Sequence, residues 1–322
     1  MERRGFFKMA AAASLASATM SQGAGLNSTE TGVSPNLVIE RAATGQPGKG
    51  KVFALVTPHL DDGPTFAGGT IAKLLNEGYT GYFIRTSNDD KDSYDLTLGE
   101  TVLANERDAA EYVKTTGLKK WYDLAYENHA MDGVSPMEMR VRLIFLFRLL
   151  KVDTVLSYDP WQHYEENPDH YVTAHAVEAA SWMAGGHLDF PEQFEVGLKP
   201  HLVSEKYYFA RGPQLVNRVV DIGPTMQQKV AQIRSCRNMM NHMVHQIDDS
   251  LAAKGMKLPA FLPADSQGAT DAFIQAAFVG VDRAVGAKYG LEYAEQFHYI
   301  GTDTIGPAAS LYEYIQRNAV RA

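Results

Sequence analysis

From Lys51 onward the chain alternates short apolar runs with stretches of helical periodicity, and this rhythm limits the folds open to it. Residues 51–57, 79–86, 152–158 and 202–210 read as strands. Residues 71–76, 100–116, 137–150, 171–184, 225–243 and 270–289 read as helices, with Gly78 and Gly117 placed where helices stop. Strands alternating with helices imply a mostly parallel sheet covered on both faces, a Rossmann-like three-layer α/β/α sandwich. Residues 246–268, which contain Pro259 and Pro263, break the rhythm and read as a long loop.

Ahead of this region the chain reads as an address. Arg3-Arg4-Gly5-Phe6-Phe7-Lys8 is a twin-arginine pattern, followed by a small apolar run and by Ala16-Ser17-Ala18, which has the small-x-small form of a cleavage site. Residues 1–24 are therefore expected to be a twin-arginine signal peptide and the mature protein to be periplasmic or secreted. The run is too short to serve as a stable membrane anchor. Residues 25–48, rich in Gly, Ser, Thr, Asn and Pro without periodicity, read as a flexible leader, and residues 49–322 as a single catalytic domain. Of the 322 residues 45% are hydrophobic, enough for a substantial core. With 30 basic against 38 acidic residues the net charge is −8, and no Lys/Arg-rich stretch offsets it, which argues against a nucleic-acid partner. The one cysteine, Cys236, can form neither an internal disulfide nor a cysteine-rich zinc site, so any metal is left to His, Asp or Glu. Oligomeric state is not legible.

Chemistry concentrates where two strands end. Pro58-His59-Leu60-Asp61-Asp62 closes the first strand, at the edge where open α/β sheets bind ligands. The two carboxylates also suit the first turn of the next helix, where negative charge is favoured. After the strand at 152–158 comes His163-Tyr164-Glu165-Glu166-Asn167-Pro168-Asp169-His170, with Pro168 where a helix can begin. In a parallel sheet both segments face one crevice, so His59, Asp62 and His170 can meet. Two histidines and one carboxylate with an open position form a catalytic zinc ligand set, and Asp61 beside them is placed to take a proton from water. His129, near Asp132, can line the same crevice. No Gly-x-Gly-x-x-Gly follows the first strand, which argues against a dinucleotide site.

These motifs resemble the LmbE/PIG-L family of zinc-dependent de-N-acetylases, whose His-Pro-Asp-Asp stands here as His59-Leu60-Asp61-Asp62 and whose His-Pro-Asp-His stands as Asn167-Pro168-Asp169-His170. Gly68-Gly69 matches the glycine pair that follows the first motif, and the likeness runs over about residues 50–300. It implies that His59, Asp62 and His170 bind one Zn²⁺ (another divalent metal being an alternative), that Asp61 is the general base, and that Asp132 contacts substrate hydroxyls. The implied reaction removes an N-acetyl group from an amino sugar or glycoconjugate by metal-activated water. Asn167 departs from the pattern: the family histidine there, oriented by the aspartate matching Asp169, helps stabilise the oxyanion. His163 or Tyr164 is expected to supply that missing function. The alternatives are a zinc amidase acting on a non-sugar amide, and a secreted sugar-binding protein that has lost turnover.

Overall fold

The computed structural model describes residues 37–301, 314–315 and 317–320. In chain order the strands are β1 (Val38–Glu40), β2 (Val52–Thr57), β3 (Thr80–Ser87), β4 (Lys120–Tyr126), β5 (Thr154–Tyr158), β6 (Glu205–Phe209), β7 (Arg218–Asp221) and β8 (Ala294–Ile300). The helices are α1 (Asp62–Asn76), α2 (Leu98–Thr116), α3 (Pro136–Leu150), α4 (Pro168–Met183), α5 (Glu192–Glu195), α6 (Met226–Ser235), α7 (Arg237–Ala252), α8 (Gln267–Ile274) and α9 (Gly280–Lys288). The strands form one sheet in the order β1-β7-β8-β6-β5-β2-β3-β4. All pairs are parallel except β6 with β8 and β7 with β8.

Side chains alternate across a strand, so β2 feeds two cores at once. Phe53 and Leu55 pack with Ile71 and Leu74 of α1, Tyr112 of α2 and Ile233 of α6. Ala54 and Val56 pack with Leu143 and Phe147 of α3 and Val177 of α4. Burial on both faces is why this strand reads as an unbroken apolar run. At about 1.5–3 kcal/mol per large apolar side chain, the two cores supply the main force holding the layers together. The expected three-layer α/β/α arrangement is the one found, with a mixed, mostly parallel sheet.

Several expectations need correction. Residues 38–40 do not belong to a leader: Val38, Ile39 and Glu40 pair with Arg218, Val219 and Val220 of β7. Glu40 is further held by Lys73 and Arg218, each at 2.7 Å. Three residues are too few to print a period, and the partners lie far away in sequence. The helix expected over 225–243 divides at Cys236 into α6 and α7, and α7 continues to Ala252 into the stretch expected as loop. Strands β4, β7 and β8 were not anticipated. The twin-arginine segment, the expected signal peptide at 1–24 and the leader up to residue 36 lie outside the described residues.

The glycine pair of α1 has a packing reason. A Cβ on Gly69 would stand 2.6 Å from Ile222, and one on Gly68 would stand 2.9 Å from the Lys229 side chain. Only glycine lets α1 approach this closely. The helix is also clamped by Glu295 of β8, whose carboxylate accepts from Gly69 N at 2.9 Å, Thr70 N at 2.8 Å and Thr70 Oγ1 at 2.6 Å. Lys229 of α6 lies 2.8 Å from Glu295 and 2.7 Å from Asp282 of α9.

Candidate metal centre

The turn from β2 into α1 and the start of α4 meet at the carboxyl edge of the sheet, as the parallel topology requires. His59 Nδ1 and His170 Nε2 face each other at 3.1 Å. Asp62 completes the group, with Oδ2 3.4 Å from His59 Nδ1 and Oδ1 3.6 Å from His170 Nε2. All three residues are buried. Asp62 is fixed by the His59 backbone N–H, which donates to Oδ2 at 2.9 Å, and by the Tyr158 hydroxyl, which donates to Oδ1 at 2.6 Å.

The outward nitrogens of both imidazoles meet oxygen. His59 Nε2 lies 3.1 Å from Asn128 Oδ1 and 3.3 Å from Asp169 Oδ2. His170 Nδ1 lies 3.1 Å from Glu165 Oε2, whose other oxygen faces Arg211 at 3.5 Å. A carboxylate behind each imidazole orients the ring and strengthens its inward nitrogen as a ligand. Two inward nitrogens and a carboxylate whose atoms all lie within 4.8 Å of one another therefore fit a divalent cation.

Electrostatics point the same way. Burial alone would raise the Asp62 carboxyl, but His170, His59 and the Tyr158 hydroxyl hold it below the usual carboxylate range. Burial and the Asp62 charge push Asp61 well above it. Asp92 is driven up to about 7, first by burial and then by Asp89 and Asp62, against the opposing pull of His59 and Asn128. Burial lowers His170, which favours the neutral, ligating imidazole. Burial would also lower His59, yet Asp169 and Asp62 raise it well above the usual histidine range. The site is thus an acidic enclosure short of positive charge. His59, Asp89 and Asp92 form a second close group. There Asp89 is already occupied, by Arg85 at 2.9 Å, Leu60 N at 3.2 Å and Ser87 Oγ at 2.7 Å, whereas Asp92 Oδ2 is buried without a hydrogen bond.

The two readings of the Asp pair separate here. Asp61 holds the cap position of α1 without using its side chain as a cap, whereas Asp62 opens the first turn and faces the histidines. Asn167 does cap its helix, its Oδ1 accepting from Asp169 N at 3.0 Å. Asp169 Oδ2 accepts from His129 N at 2.7 Å, and Oδ1 from Met131 N at 3.3 Å, tying the β4–α3 connection to the cluster. His163, Tyr164 and Asp132 are all exposed, and the structure does not bring them into the cluster. Tyr158, Asn128, Glu165 and Arg211 surround it and were not singled out. Tyr158 ends the strand expected at 152–158, and Glu165 stands inside the second motif; Asn128 and Arg211 carry no motif at all.

Residues 54–181 match the model of the PIG-L family, described as GlcNAc-PI de-N-acetylase. Residues 54–181 thus carry a PIG-L/LmbE family domain. Diacetylchitobiose deacetylase of Thermococcus kodakarensis is 27% identical over 194 residues, which span 58% of this chain and 68% of that protein. Among solved structures, N,N′-diacetylchitobiose deacetylase from Pyrococcus horikoshii superposes with a TM-score of 0.64 at 23% identity, covering 81% of this chain and 88% of its own. GalB from Pseudomonas putida KT2440, a 4-carboxy-2-hydroxymuconate hydratase, superposes with a TM-score of 0.54 at 19% identity, over 80% of this chain and 98% of its own. The PIG-L/LmbE fold is thus shared by proteins of different named activities, and the site has to carry the argument about function.

Proposed function

We propose that this chain is an exported, zinc-dependent hydrolase that removes an N-acetyl group from an amino sugar or glycoconjugate. The observation that carries the reading is the convergence of His59, Asp62 and His170 with Asp61 buried beside them, in a domain of a family described by its de-N-acetylase. The sugar class comes from the diacetylchitobiose deacetylase named as a relative. A bound divalent cation supplies Lewis acidity, polarising an amide carbonyl and making water a better nucleophile near neutral pH. His59, Asp62 and His170 would hold it. Asp61 accepts the proton lost by the attacking water, its carboxyl having been made more basic by burial and by Asp62. It then has a proton to return to the departing amine. Asp169 keeps His59 and the 128–131 segment in place while this happens. Asp132, His163 and Tyr164, on the surface, are left as contacts to outlying parts of a substrate.

Acetate release from a panel of N-acetylated amino sugars, N,N′-diacetylchitobiose included, with and without a chelator, tests the reading. Chelator-sensitive release is expected, and zinc binding without release from any member would sink it. That second outcome has an observation in its favour, since Asn167 stands where the family motif has a histidine, and it would mark a secreted sugar-binding protein. Release confined to non-sugar amides would instead mark an amidase. Export is tested separately by replacing Arg3 and Arg4 with lysines, which should hold the protein in the cytoplasm.

A further inference from the structure

We infer that His129 is a catalytic residue of this site, donating the hydrogen bond that steadies the acyl oxygen as the amide is attacked. The inference rests on the deacetylase reading. Attack on an amide puts negative charge on its oxygen, and a fixed donor aimed at that charge is among the strongest devices available to a hydrolase.

The polar side chains around the cluster are mostly engaged elsewhere. Tyr158 donates to Asp62, Glu165 backs His170, and Asp169 is shared between His59 and two backbone N–H groups. Asn167 gives only its Oδ1 to the backbone of its own helix, and Asn128, whose Oδ1 meets His59, is buried. His129 is different. Its ring stands edge-on to that of His59, with centroids 6.2 Å apart and planes at 72°, and the residue is open to solvent. Among the described residues the ring nitrogens take part in no hydrogen bond, while the backbone N–H is pinned by Asp169. An imidazole in either protonation state keeps an N–H to donate.

Backbone conformation adds an independent observation. His129 has φ 60°, in the left-handed region that favours glycine. The residue before it is held as well, since the Asn128 carbonyl accepts from Lys91 Nζ. Strain kept at a site mouth by surrounding hydrogen bonds is the expected signature of a side chain retained for what it does. A glycine would meet the backbone requirement at lower cost, yet the chain presents an imidazole.

The test uses the zinc-loaded full chain and whichever N-acetylated sugar of the panel releases acetate fastest. His129→Gly should lower kcat by about 10²–10³-fold, the usual cost of one oxyanion donor. KM and zinc affinity should stay close to wild type, and Tm should be unchanged or higher because strain is relieved. His129→Gln, which restores an N–H donor, should recover part of the lost kcat. Asn167→Ala should lower Tm more clearly than kcat. Full turnover in His129→Gly, or a parallel loss of zinc affinity with kcat, overturns the assignment. Absence of acetate release by the wild type from every panel member would instead remove the deacetylase reading, and this role with it.

Discussion

Two of the buried clusters of charge among the described residues are completed differently. At the α1–α6–β8 junction Lys229 sits between Asp282 and Glu295, and Glu295 is further satisfied by the backbone and side chain of α1. At the sheet edge Asp61, Asp62, Asp92 and Asp169 gather around two histidines. Of the arginines around it, Arg85 is taken by Asp89 and Asp123, and Arg211 faces Glu165 at 3.5 Å. Burying a carboxylate without a counter-charge costs several kcal/mol. The first cluster meets that cost with a lysine and holds the layers together; the second gathers more carboxylates than cations around three residues that fit a divalent cation.

Substitutions can break this contrast. The largest effect is expected for His59→Ala and His170→Ala, which should lose bound metal and all turnover, read by metal content and acetate release. Asp61→Asn should keep the metal while lowering kcat by roughly 10²–10⁴-fold, the range for loss of a general base. Loss of metal in Asp61→Asn would reverse the division of roles between the two aspartates. Lys229→Met strands two carboxylates and should destabilise the fold by about 3–5 kcal/mol in denaturant titrations, with unchanged metal affinity in the folded fraction. Glu165→Gln should weaken metal affinity by about 10–100-fold, measured by chelator competition, since only the orientation of His170 is loosened. Smallest is Gly69→Ala, whose new Cβ meets Ile222 and should cost about 1–3 kcal/mol without touching turnover per folded molecule.

The same contrast explains what could be read from the sequence. Strands β2, β3, β5 and β6 were legible because burial on both faces leaves an apolar stretch in each of them. The short strands β1 and β7 were not, because their stability comes from partners such as Glu40, Lys73 and Arg218 that are remote in sequence. His59, Asp62 and His170 could be brought together by one topological rule. Glu165 and Tyr158 could not be assigned, since which side chain backs an imidazole depends on angles that no spacing encodes. The break at Cys236 was hidden by helical periodicity on both sides of it. His129 was legible as a residue near Asp132 able to line the crevice, but the sequence carries no sign of its positive φ.

The small strand β1 has a practical consequence. It occupies the outer edge of the sheet, four inter-strand steps from β5, so at about 4.8 Å per step it stands roughly 19 Å from the strand that leads to His170. Glu40 bolts it to Lys73, Arg218 and the Tyr207 hydroxyl. A surface or carrier coupled ahead of Leu37 would therefore grip the molecule at a reinforced corner, away from the carboxyl edge of the sheet where His59 and His170 stand.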